Sequence, residues 1–169
     1  MTYPSLIILA GFMGTGKTAV GQALARRLHY SFVDSDREIE AREGRTVQKI
    51  FEMEGEPYFR KLEKDTIARL SQNPTSVLSV GGGAILDPQT FQFLNQLGVF
   101  VLLTASVDTI AKRLGHDNER PLLRGGDRKK KIEKIMKDRE QVYSQIKIRI
   151  DTTKLAIDQV VQEVLKQLG

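Results

Sequence analysis

The chain has 169 residues, a formal net charge of +5, five prolines and no cysteine. That length suits one domain over residues 1–169, burying about two-thirds of its unfolded surface, and the missing cysteines exclude disulfides, thiolate metal sites and cysteine nucleophiles while suiting a reducing compartment. Much of the basic excess sits in Arg128 to Lys131, which reads as a solvated helix face, and the sparse aromatics build no stacking platform; polyanionic small molecules are expected partners and nucleic acid is not.

Leu6 to Ala10 is an apolar run too short for a signal-peptide core or a membrane span, and no transit pattern precedes it, so a cytoplasmic protein without membrane contact is expected. The run reads as a strand and leads into Gly11 to Thr18, Gly-Phe-Met-Gly-Thr-Gly-Lys-Thr, which fills the spacing G-x-x-x-x-G-K-[ST]. Glycines there let the backbone curl so that successive N–H groups face phosphate oxygens; Gly14, Thr15, Gly16, Lys17, Thr18 and Ala19 are the expected nucleotide cradle. Lys17 would reach the outer phosphates and the Thr18 hydroxyl would hold Mg²⁺, at the positive end of a helix marked by Val20, Leu24 and Leu28.

Ser31 to Val33 predicts a second strand, ending on Asp34, Ser35 and Asp36. Short helical stretches follow, punctuated by Gly44 and Gly55 with Thr46 as an N-cap, and Pro57 opens a helix to about Leu70. A third strand, Ser76 to Val80, runs into Gly81-Gly82-Gly83, and Asp87-Pro88 starts a helix that Gly98 closes. Val99 to Leu103 is a fourth strand, and Ser106 caps a helix stopping near Gly115. Residues 115–127 carry turn residues at both ends and basic residues between, the composition of a lid. The next helix has Ile132, Ile135, Met136, Val142 and Tyr143 on one stripe with Arg139, which therefore should meet a partner inside. Ile146 to Ile150 alternates as an edge strand, and Ile157, Val160, Val161, Val164, Leu165 and Leu168 mark a closing helix. Apolar runs alternating with helical patterns predict a parallel sheet between two helical layers.

Ligands of such a sheet bind outside the carboxyl ends of its strands, where Asp34 to Asp36 and Gly81 to Gly83 fall. Asp34 takes the Mg²⁺ role by elimination, with a plain helix N-cap as the alternative. Three successive glycines suit a close backbone approach to a ligand, a flexible turn being the alternative. Arg60 and Glu63 share a helix face; they form either a surface ion pair or, with Arg139, a clamp for an anionic acceptor in which Glu63 holds Arg60. Arg120, in the lid, could stabilise charge on a transferred phosphoryl group. His29 and His116 are isolated and read as surface residues. Asp36 favours an alcohol acceptor, which must lose a proton, over a nucleoside monophosphate, which need not.

The P-loop together with Phe32-Val33-Asp34-Ser35-Asp36, Phe59-Arg60-Lys61-Leu62-Glu63, Gly81 to Gly83, Arg120-Pro121-Leu122-Leu123 and Arg139 to Tyr143 resembles the shikimate kinase family over nearly the whole chain. The resemblance implies a three-layer α/β/α P-loop kinase of the nucleoside-monophosphate-kinase type, with sheet order 2-3-1-4-5, transferring the ATP γ-phosphate to the 3-hydroxyl of shikimate in aromatic amino acid biosynthesis. It implies shikimate held by Asp36, Arg60, Arg139 and Gly81 to Gly83, phosphate contacts from Lys17 and Arg120, Mg²⁺ at Thr18 and Asp34, and adenine against Arg113. ATP with Mg²⁺ and shikimate are the expected partners of a monomer. The alternatives are a gluconate or nucleoside-monophosphate kinase, a GTPase switch, which Ala156 after Thr153-Lys154-Leu155 disfavours for want of a carboxylate, and a protein that only binds nucleotide.

Overall fold

A computed structural model describes residues 3–73, 75–115, 123 and 126–169. Its strands are β1 (Leu6–Gly11), β2 (Ser31–Asp34), β3 (Ser76–Ser79), β4 (Val99–Thr104) and β5 (Ile148–Asp151). They form one five-stranded sheet in the order β2-β3-β1-β4-β5, and every pairing is parallel. The helices are α1 (Lys17–Leu28), α2 (Ser35–Glu43), α3 (Val47–Glu54), α4 (Glu56–Leu70), α5 (Pro88–Leu97), α6 (Val107–Leu114), α7 (Arg128–Tyr143) and α8 (Ile157–Leu168), with a 3-10 turn at Ala84–Leu86.

A strand sends alternate side chains to opposite faces, and β1 shows the consequence. Leu6, Ile8 and Ala10 pack with Ile67 and Leu70 of α4, Leu94 of α5 and Tyr143 of α7. Ile7 and Leu9 pack with Val20, Leu24 and Ala25 of α1 and with Val160, Val161 and Val164 of α8. A strand covered on both faces has no polar side, which is why β1 reads as an unbroken apolar run. Smaller clusters join α6 to α7 through Phe12, Ile110, Leu123 and Ile132, and α2 to α4 through Ile39, Ile50 and Phe59.

The predicted caps form. Thr46, Asp87 and Ser106 accept from Lys49 N, Thr90 N and Thr109 N, satisfying donors a helix start leaves open. The alternating run from Ile146 pairs only over Ile148–Asp151; Ile146 instead joins the α4 side of the core. No helix among the described residues is long and apolar enough to cross a membrane.

Candidate active site

β1 delivers its chain into the phosphate loop at the sheet's centre, with β3 and β4 on either side. Gly14 and Gly16 take φ of 79° and 99°, the left-handed region that glycine enters without a Cβ penalty. Gly16 is the N-cap of α1 and supplies no side-chain acceptor, so the first N–H groups of that helix remain available to an anion. Lys17 Nζ lies over the loop, donating to Gly11 O at 2.8 Å and Phe12 O at 3.1 Å. Thr15 as a whole is only 1 % exposed, and its hydroxyl donates to Phe12 O at 2.8 Å.

Asp34 is the N-cap of α2, and its other oxygen meets the hydroxyl with which the Mg²⁺ reading pairs it. Its Oδ2 accepts from the Thr18 hydroxyl at 3.1 Å, while its Oδ1 caps α2 by accepting from Asp36 N at 3.1 Å and Arg37 N at 3.4 Å. A hydroxyl and a carboxylate are hard oxygen donors that suit Mg²⁺. No group of three or more His, Cys, Asp or Glu that could hold a metal occurs among the described residues. Two such donors fit an ion that takes its remaining ligands from phosphates and water, as Mg²⁺ does beside a nucleotide.

Asp36 lies in the first turn of α2, facing the glycine run after β3. A Cβ placed on Gly81 would sit 2.5 Å from Glu63 Oε1 and 3.0 Å from Asp36 Oδ1. At Gly82 it would meet Arg139 Nη1 at 2.5 Å, and at Gly83 Arg60 Nη2 at 2.6 Å. None of the three has a positive φ, so what these glycines supply is space and not an unusual backbone conformation. Their missing side chains let four charged groups from α2, α4 and α7 converge on one backbone segment. Tyr143 adds a hydrogen bond to Gly82 O at 3.0 Å, and Gly81 N donates to Ser35 Oγ at 3.2 Å.

The Arg60–Glu63 pair is no surface bridge. Glu63 is 3 % exposed and accepts from Arg60 Nη1 at 2.7 Å, while Arg60 Nε and Nη2 hold Glu56 on the solvent side. Burial pushes the Glu63 carboxyl up to about 7, against the pull of Arg60 and with a further push from Asp36. Burial works against charge on Arg60 too, but Glu63 outweighs it and the guanidinium is held above its ordinary value. Arg139 is 4 % exposed and lies over the Phe12 ring, 5.4 Å from its centroid. The expected inward partner is thus an aromatic face and the Tyr143 hydroxyl, and Arg139 Nη1 is buried without a hydrogen-bond partner among the described residues, as is Glu63 Oε1.

One cleft of about 820 Å³ is lined by Gly14, Gly16, Lys17, Thr18, Ala19, Asp34, Asp36, Arg60, Glu63, Gly81, Gly82, Gly83 and Arg139. Arg113 stands beside the phosphate loop, donating to Gly14 O at 3.2 Å. Arg120 and His116 lie outside the described residues, as does most of segment 115–127. Val47, Phe51 and Phe59 also line the cleft, a wall that sequence reasoning missed although Val47 and Phe51 stand at i, i+4 on α3.

The family model described as shikimate kinase matches residues 13–169. A shikimate kinase of Pelotomaculum thermopropionicum is 41% identical over 159 residues, 94% of this chain and 92% of that one. The chain belongs to the shikimate kinase family. Another shikimate kinase, from Hahella chejuensis, is 44% identical over 163 residues, 96% of this chain and 85% of its own length. A solved structure, shikimate kinase from Acinetobacter baumannii in complex with shikimate, matches with a TM-score of 0.93 at 37% identity, covering 97% of this chain and 92% of that one. A gluconokinase from Sinorhizobium meliloti reaches a TM-score of 0.59 at 19% identity, a likeness of fold alone.

Proposed function

We propose that this chain is an ATP:shikimate 3-phosphotransferase working as one P-loop kinase domain. The observation that carries this reading is Asp36, set in one cleft between the phosphate loop and the buried arginine end. The acceptor hydroxyl loses its proton to, or is oriented by, Asp36 as its oxygen forms a bond to the γ-phosphorus; the bond to the β–γ bridging oxygen breaks and ADP leaves. Arg60 and Arg139 hold the acceptor carboxylate, which gives the buried Arg139 Nη1 an acceptor it lacks among the described residues. Glu63 keeps Arg60 in place, and Val47, Phe51 and Phe59 offer an apolar wall to a carbon ring.

At the other end, the N–H groups of residues 14–19 hold the phosphates, and Lys17 swings from its loop carbonyls to the transferred group. Arg120 serves the same phosphates from the lid. Thr18 and Asp34 hold Mg²⁺, which neutralises charge on the triphosphate when bound. The absence of cysteine supports a cytoplasmic setting, and we take the working unit to be a monomer. ADP release measured in parallel with shikimate, gluconate and AMP tests the reading. Turnover with shikimate alone is expected; an inert shikimate beside an active gluconate or AMP overturns it.

A further inference from the structure

β5 is followed by a pair of threonines, Thr152 and Thr153, that the chemistry above does not use. Thr152 is 2 % exposed, and its hydroxyl lies 3.0 Å from Thr15 O of the phosphate loop and 3.0 Å from Thr104 O at the end of β4. Its backbone N–H also donates to Thr104 O, at 2.8 Å. The residue is therefore anchored both to the phosphate loop and to the end of β4. Against this anchor rests Arg113, from the last turn of α6: Nη1 donates to Thr152 Oγ1 at 2.9 Å and Nη2 to Thr152 O at 2.7 Å. Nη1 donates in addition to Gly14 O at 3.2 Å.

Arg113 is exposed, and a solvated arginine keeps rotamer freedom that any ordered ligand contact must remove. Among the described residues, three acceptors hold the edge of the guanidinium: Thr152 Oγ1, Thr152 O and Gly14 O. The threonine hydroxyl has one proton, so it donates to Thr15 O or Thr104 O while its lone pair accepts from Arg113; each bond polarises the next. We infer that Thr152 is a positioning residue for the nucleotide, acting by fixing the plane of Arg113 against the phosphate loop so that a flat base can stack on it. The inference rests on a nucleotide occupying the phosphate loop and is independent of which alcohol accepts phosphate.

MgADP affinity, measured by calorimetry without acceptor, is the primary readout, alongside the KM for ATP and for shikimate. Thr152→Val keeps the shape and removes the hydroxyl; it is expected to weaken MgADP and raise the ATP KM by roughly tenfold, the size of one lost hydrogen bond to a charged group. The shikimate KM and the affinity for magnesium pyrophosphate stay within twofold. Thr152→Ser recovers most of the loss. In an Arg113→Ala background Thr152→Val adds less than twofold, since the group it positions is gone. Equal rises in both KM values, parallel loss of pyrophosphate affinity, or additive effects with Arg113→Ala each overturn the inference, the last two by placing Thr152's effect outside Arg113. Should valine not be tolerated, Thr152→Cys, near serine in size and a weak donor, is read by the same criteria. A wild-type chain that binds MgADP but leaves shikimate inert would sink the proposed function while leaving this test intact.

Discussion

Two aspartates two residues apart have separable duties. Asp34 divides its oxygens between a helix cap and the Thr18 hydroxyl, whereas Asp36 faces the glycine run. Asparagine caps a helix nearly as well as aspartate, so Asp34→Asn should keep the melting temperature within a few degrees and raise the Mg²⁺ concentration needed for half-maximal rate about tenfold or more. Asp36→Asn removes a proton acceptor without touching the loop; turnover should fall about 10²–10⁴-fold, the range of general-base contributions, with MgADP affinity unchanged. Equal Mg²⁺ titrations for the two variants, or near-normal turnover by the second, would refute this division. Gly82→Ala brings a methyl against Arg139 Nη1, with Gly11 O next at 3.3 Å, so it should raise the shikimate KM at least tenfold while the ATP KM moves little. An unchanged shikimate KM would detach Arg139 from the acceptor. That crowding was invisible in the chain, where three glycines mark closeness but cannot name what comes close.

Among the elements, α4 carries the strongest electrostatic statement. It places Arg60 between an inner and an outer carboxylate, Glu63 and Glu56. Because the Glu63 carboxyl is raised from 4.5 to about 7 by burial, the folded chain holds its proton across a window where the unfolded chain has lost it. Its contribution to stability is thus complete below about pH 4.5 and disappears as pH rises through about 7. Relative to Glu63→Gln, which does not titrate, the native chain should lose about 2 kcal/mol between pH 5 and 8 in denaturant unfolding. A pH-independent difference would show the carboxyl ionised throughout. The i, i+3 spacing revealed that the pair shares a face, but not that the face is buried, since spacing carries no information on what packs above it. Arg139 was legible through its place on an apolar stripe; its aromatic partner Phe12 was not, because loop and helix are brought together only by the fold.

On the scale of the molecule, apolar runs and caps made the sheet and its helices readable, since the central strands β1 and β4, covered on both faces, are nearly continuous apolar runs. The phosphate end of the cleft was readable for the same reason: a local motif encodes it. The end of the cleft at which we place the acceptor is assembled from α2, α3, α4, α7 and the turn after β3, and tertiary juxtapositions such as Thr152 with Arg113 leave no mark on spacing. The described residues contain no cluster suited to a structural metal, so EDTA should abolish turnover, added Mg²⁺ should restore it, and the melting temperature should stay put. A fall in melting temperature on chelation would reveal an ion built into the fold.

β1 is laddered to a neighbour on each side and buried along its length. Amides of such a strand trade hydrogen for deuterium only when the whole chain opens, whereas β2 and β5, at the rims, can release theirs by fraying. Labelling by mass spectrometry should find Ile7 to Leu9 last to exchange; uptake there as early as in Ile148 to Asp151 would contradict it. The phosphate loop is then moored to the last part of the molecule to melt, and partial opening at the rims need not disturb it.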